Sequence, residues 1–138
     1  MVEQTKLAFN AYTLYERFTG SCYAIPKALF YGDYRVLSSD AKLLYGVILD
    51  RLEESRARVE RGDKQWINSN GEIFIMFDRD AICELLDISP GTLKRVLVNL
   101  ANLGLVYWVR RGPKAGFIFI GKINDSEMMV KIDPSFKS

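Results

Sequence analysis

Between Ile88 and Asn124 the chain carries Lys94, Arg95, Arg110, Arg111, Lys114 and Lys122 and not one Asp or Glu. The 17 acidic residues of this 138-residue chain would place about four or five in a segment of that length. Six cations with no carboxylate among them can neutralise a polyanion, whereas a carboxylate within a Debye length of phosphates would be repelled. The formal net charge is only +2, so the rest of the chain is near −4. The basic character is segregated rather than global, which is an electrostatic footprint for a polyanionic partner.

Other chemistry is poorly provided for. The sequence has no histidine, which removes Ser-His and Cys-His nucleophilic pairs and the commonest zinc ligand. Cys22 and Cys83 lie far apart in no CxxC pattern. They read as free, mostly buried thiols of a reducing compartment. Neither GxxxxGK[ST] nor a GxGxxG following a strand is present. Glu53-Glu54, Asp78/Asp80 and Glu84/Asp87 are explained as solvated faces or caps rather than as a general acid and base. No enzyme activity, metal, cofactor or small-molecule substrate is expected. No apolar run approaches the roughly 18 residues needed to span a bilayer, and "MVEQTKLAFN" lacks the pattern of a signal peptide. A cytoplasmic protein with no membrane partner is the expectation.

The elements that must position the cations follow from periodicity. "LSSDAKLLYGVILDRLEESRARVE" is the clearest helix, capped by Ser38, with Asp40 in its first turn and Ala41, Leu44, Tyr45, Ile48 and Leu52 at 3–4 spacing. Leu43, Val47 and Leu49 make its first half apolar nearly all round, as in a central core helix. Before it, Pro26 suits the first turn of a short helix through Phe30, and "YGD" is a turn. "WINSNGEIFIMF" predicts a hairpin on a type I′ Asn70-Gly71 turn. "FDRDAICELLDI" predicts a helix capped by Asp78, with Ile82, Leu85 and Leu86 inward. A few residues on, "SPGTLKRVLVNLANLGL" predicts another over 90–103, with Ser89 as N-cap, Pro90 at its first position and Gly104 as its stop. "LVYWVRR" and "GFIFIGKI" are strands joined by "GPKA".

Two helices on a tight turn followed by a β-hairpin predict an α+β domain, a winged helix-turn-helix with an additional N-terminal segment and hairpin. The domain spans 22–123, with an N-terminal arm over 1–21 and a C-terminal tail over 124–138. The arm's Leu7, Tyr12, Leu14, Tyr15 and Phe18 are too apolar to stay solvated. They form a short helix or an aromatic arm, and pack on the domain's own core or on a second copy. Of Tyr107 and Trp108, one belongs in the core and the other near DNA or a dimer partner.

A helical wheel sharpens the candidate interface. On the 90–103 helix Leu93, Val96, Leu97, Leu100 and Leu103 cluster within about 120°. The opposite face carries Gly91, Arg95, Val98 and Asn102, flanked by Lys94 and Asn99. Arg and Lys reach guanine O6/N7 or phosphate, and Asn pairs with adenine N6/N7. Ser89 and Thr92, beside the positive helix end, suit phosphate contacts. The wing, 110–116, offers Arg110, Arg111 and Lys114 to the backbone or the minor groove. The partner expected is double-stranded DNA. A transcriptional regulator of a mobile element, or a protein-interaction module, would use the same fold.

"YAIPKALF", "LSSDAKLLYGVILDRLEES", "W-I-N-x-N-G-x-I-F-I-x-F" and "LVYWVRRG" resemble the N-terminal domain of the RepA_N family, replication initiators of plasmids from low-GC Gram-positive bacteria. The resemblance covers roughly residues 22–122. It implies a winged-helix domain that binds repeated DNA sites at a plasmid origin, commonly as a homodimer. Members often carry longer basic or polar residues where this chain has Ser89-Pro90-Gly91-Thr92. Full-length members continue into a second domain thought to engage host replication proteins.

Overall fold

The computed structural model describes residues 8–111 and 115–123. Three helices pack on one side of a three-stranded antiparallel sheet: α1 (Ser39–Glu60), β1 (Phe74–Asp78), α2 (Arg79–Leu86), α3 (Pro90–Asn102), β2 (Val106–Arg111) and β3 (Ala115–Ile120), in chain order. The sheet order is β1-β3-β2. The last strand to form in sequence is therefore central, and β1 pairs with it residue for residue from Phe74↔Phe119 to Asp78↔Ala115.

Helix starts follow local chemistry. The Ser38 hydroxyl accepts from the Ala41 N–H at 3.1 Å. The Asp78 carboxylate accepts from the N–H groups of Asp80 and Ala81. Each satisfies donors that the first helical turn leaves without partners. α3 stops where Gly104 turns left-handed at φ 74°. The Gly104 N–H then donates to Ala101 and the Leu105 N–H to Leu100, a Schellman closure sealed by two fully buried leucines.

Leu29, Leu37, Ala41, Leu44, Tyr45 and Ile48 meet Ile75, Phe77 and Ile118 of the sheet and Ile82, Leu93, Val96, Leu97 and Leu100 of α2 and α3 in one core. The buried Tyr45 hydroxyl donates to the Gly121 carbonyl at 2.8 Å, tying α1 to the end of β3. Tyr45→Phe leaves that carbonyl without its donor and should cost about 1–2 kcal/mol in urea denaturation. Among the described residues no helix is long and apolar enough to cross a membrane.

Several expectations are corrected. The "YGD" turn belongs to a 3-10 helix, Gly32–Val36, and the helix after Pro26, Lys27–Phe30, is also 3-10. Asn70-Gly71 is not a type I′ turn, because only Gly71 of the pair has positive φ. The Gly71 N–H donates to the Asn68 carbonyl and the Asn68 N–H to that of Glu72, which makes a three-residue loop with a glycine bulge. The Asn68 side chain favours it by accepting from both the Asn70 and Glu72 N–H groups. The expected hairpin shrinks to the single bridge Ile67↔Ile73, because β1 pairs with β3 instead. Leu43 and Leu85 are exposed, although α1 buries Leu44 to Ile48 without a break. Cys22 is exposed, not buried. Residues 8–24 form no helix and every one of them is exposed, so residues 8–21 of the arm do not pack on their own domain's core. Met1 to Leu7 and the 124–138 tail lie outside the described residues.

Candidate nucleic-acid interface

α2 and α3 are joined by three residues, Asp87, Ile88 and Ser89. Asp87 is left-handed at φ 56°, ψ 50°, and the Ile88 N–H donates to the Cys83 carbonyl at 3.1 Å. Asp is one of the few residues that tolerate this region. The turn fixes the crossing of α2 and α3, and hence which side of α3 faces out.

The faces divide as the wheel predicts. Leu93, Val96, Leu97 and Leu100 are buried, and Leu103 caps the helix half-buried. Gly91, Lys94, Arg95, Val98 and Asn102 are exposed together, with Val98 at 49%, and Thr92 and Asn99 are half-buried at the margin. Among the described residues neither Lys94 nor Arg95 makes an ion pair; the ion pair found there is Arg56–Glu53 on α1. The cations of α3 are thus not neutralised by neighbours within the described chain.

Ser89 and Thr92 are already engaged. The Ser89 hydroxyl accepts from the Thr92 N–H and donates to the Thr92 hydroxyl, each at 3.1 Å. Their first task is to cap α3, which leaves them fewer groups for an external anion. Gly91 is different. A Cβ there would meet nothing nearer than the Ser89 hydroxyl at 3.9 Å, so packing does not require glycine. Glycine costs helix stability without a side chain to compensate.

Arg110 and Arg111 end β2, and Arg111 pairs across to Ala115 of β3. Their side chains and the whole of Lys114 lie outside the described residues. The adjacent aromatic pair divides cleanly. Tyr107 is 67% exposed, whereas Trp108 packs inward against Phe77 with ring centroids 6.4 Å apart. Arg79, which no motif in the sequence singles out, lays its guanidinium over the Trp108 ring at 4.2 Å. It thereby links the start of α2 to the root of the β2–β3 hairpin. Its acidic neighbours Asp78 and Asp80 gave it no place in a charge-based reading.

The domain is therefore an α+β unit of three helices and a three-stranded antiparallel sheet, in which the second helix of a two-helix pair, α3, presents an acid-free face. The chain belongs to the replication initiator protein A (RepA) N-terminus family, RepA_N, whose model matches residues 21–137. A solved structure described as "N-Terminal domain of DNA binding protein" is 25% identical, covers 94% of this chain and 98% of that one, and superposes with a TM-score of 0.64. Another, "Structure of Rep-DNA complex", is 24% identical over 86% of this chain and 89% of that one, with a TM-score of 0.64. A third, "Structure of MDR initiator", is 23% identical over 83% and 88%, with a TM-score of 0.63. These last two bear on the fold alone. None of the curated proteins matches the sequence.

Proposed function

We propose that the domain is a winged helix-turn-helix that binds double-stranded DNA sequence-specifically at repeated sites of a plasmid origin, as a homodimer in the cytoplasm. The observation that carries this reading is the exposed face of α3, where Lys94 and Arg95 stand without ion pairs among the described residues. That face lies within a stretch of chain that holds no carboxylate. The element order and the sheet order β1-β3-β2 supply a hairpin beside the helix pair, as a wing requires. Family membership places the chain among initiators, and one solved structure of the same fold is of a Rep protein with DNA.

In this reading α3 enters the major groove. Arg95 reads a base edge, Lys94 reaches phosphate, and Asn99 and Asn102 offer paired donor and acceptor groups to adenine. Val98 contacts a thymine methyl. Ser89 and Thr92 hold the N-terminus of α3, whose free N–H groups and dipole favour a phosphate. Arg110, Arg111 and Lys114 on the wing neutralise backbone phosphates or enter the minor groove.

Gly91 then keeps the helix start thin enough for close approach. Gly91→Ala should raise thermal stability by up to about 1 kcal/mol and weaken DNA binding. Opposite signs in denaturation and binding titrations would bear this out, while a parallel change would assign Gly91 to the fold.

The reading as a whole is tested by selecting sites from random duplexes with the full chain. Enrichment of one repeated motif, bound with log affinity falling as log salt rises, is expected. A pool with no enriched motif refutes sequence-specific recognition.

A further inference from the structure

The sheet buries one face against the helices and leaves the other outward. Along each strand the side chains alternate, so β1 sends Ile75 and Phe77 inward and Phe74 and Met76 outward. Register then assembles two outward rows, Phe74–Phe119–Tyr107 and Met76–Phe117–Val109. Ring centroids are 4.8 Å apart for Phe74 and Phe117, 5.3 Å for Phe74 and Phe119, and 6.3 Å for Tyr107 and Phe119. Trp66 borders the patch, 6.4 Å from Phe74, with the Arg58 guanidinium over its ring at 4.8 Å. Met76 and Tyr107 are exposed, at 48% and 67%, and Phe74, Val109, Phe117 and Phe119 are half-buried. No charged residue interrupts either row. Antiparallel sheets in solution normally put polar residues on their open face.

The same chain holds a second, more exposed apolar surface. Phe9, Tyr12, Leu14, Tyr15 and Phe18 are between 63% and 91% exposed on a segment with no helix or strand.

We propose that two copies of this chain pair by exchange, residues 8–18 of one copy lying across the outward sheet face of the other. The inference deepens the homodimer reading above and is independent of whether DNA is the ligand. Monomers expose apolar patches of roughly 300–600 Å², and a stable interface takes on the order of 800 Å² per partner. Six sheet side chains fall short of that alone. Four arm aromatics, each able to bury roughly 150–250 Å², make up the difference. A two-fold exchange covers both surfaces twice with one kind of contact.

The placement also spares the DNA side. The Phe74–Phe119–Tyr107 row lies four residues along β2 from Arg111, or about 14 Å at strand spacing. An arm seated there leaves the wing connection open. An arm folded on its own sheet would cover its own aromatics, which in the described chain are exposed.

Cross-linking tests the exchange. In a Cys22→Ser background of the full chain, Tyr15→Cys and Tyr107→Cys place thiols at exposed positions where folding is not at stake. The two purified variants are treated with a mild disulfide-forming oxidant, singly and mixed. The expected result is a covalent dimer in the mixture and almost none in either variant alone. Sedimentation should show the unmodified chain as a dimer, and Tyr107→Lys should weaken it about tenfold or more. A monomer at all concentrations overturns the proposal. So does dimer formation by Tyr107→Cys alone, which means sheet against sheet. So does an intramolecular disulfide at high dilution in a chain carrying both cysteines, which means the arm folds on its own sheet. Site selection from random duplexes, run on the same preparations, separates this from the DNA reading. A selected site without the mixed cross-link refutes the exchange alone, and the cross-link without a selected site refutes the DNA reading alone.

Discussion

Replacing Arg95 with alanine should weaken binding to the selected duplex by about 1–3 kcal/mol and relax the preference at one base pair. Arg95 stands in the middle of the exposed face of α3 and, among the described residues, has no ion pair that its removal would disturb. Folding stability should therefore stay within about 0.5 kcal/mol of the parent. On the proposed reading the loss falls on recognition, because a planar guanidinium can pair bidentately with one base edge and a lysine ammonium does not reproduce that geometry. Lys114→Ala makes the contrast. A lysine on phosphate carries no sequence information, so all duplexes weaken alike and the slope of log affinity against log salt falls by about one. Anisotropy titrations between 50 and 200 mM salt, on the selected site and on a scrambled duplex, measure both effects. Equal weakening of the two duplexes by Arg95→Ala would make Arg95 a phosphate contact instead.

Gly121→Ala should lower stability by about 3 kcal/mol, at the upper end of what overpacking costs. An added Cβ would fall on the carbonyl oxygen of Gly104, and backbone cannot swing aside as a side chain can. Both sides of the position are pinned. The Gly121 N–H donates to the Leu105 carbonyl at 2.9 Å, and the Gly121 carbonyl accepts from Tyr45. Moving the chain to admit the methyl therefore breaks the tie from α1 to the end of β3 as well. The double variant with Tyr45→Phe should cost less than the two singles together, because they share that hydrogen bond. Urea denaturation of the three variants decides it, and strict additivity would mean the two sites relax separately.

What could be read in the sequence was local. Ser38, Asp78 and Ser89 each cap the helix that follows within three residues, and Gly104 stops α3 by its own backbone geometry. The buried stripe of α3 follows from a period of 3.6 and needs no knowledge of what it packs on. Its exposed face, and so the helical half of the candidate interface, was legible for the same reason. Pairing across the chain was not. The pattern around Asn70-Gly71 suits a hairpin of β1 with the residues before it, yet the partner of β1 is β3, some forty residues on. Asn70-Gly71 suits a two-residue turn, but the Asn68 side chain bonds two N–H groups and lengthens the loop. Tyr107 and Trp108 are equivalent to any pattern until the sheet acquires an inside, and only then does Arg79 find the Trp108 ring.

The sheet order leaves β2 as an edge strand, its outer row of N–H and C=O groups without a strand partner among the described residues. Open edges carrying exposed apolar side chains, as Tyr107 does, invite edge-to-edge aggregation unless charge discourages it. Within β2 that charge comes from Arg110 and Arg111. The two arginines proposed for the wing should thus also discourage edge pairing. Neutralising both should shorten the time the protein stays clear at high concentration, through edge pairing that has nothing to do with recognition. A screen that scores only activity in cells would merge the two losses. Light scattering beside a dilute binding assay would hold them apart.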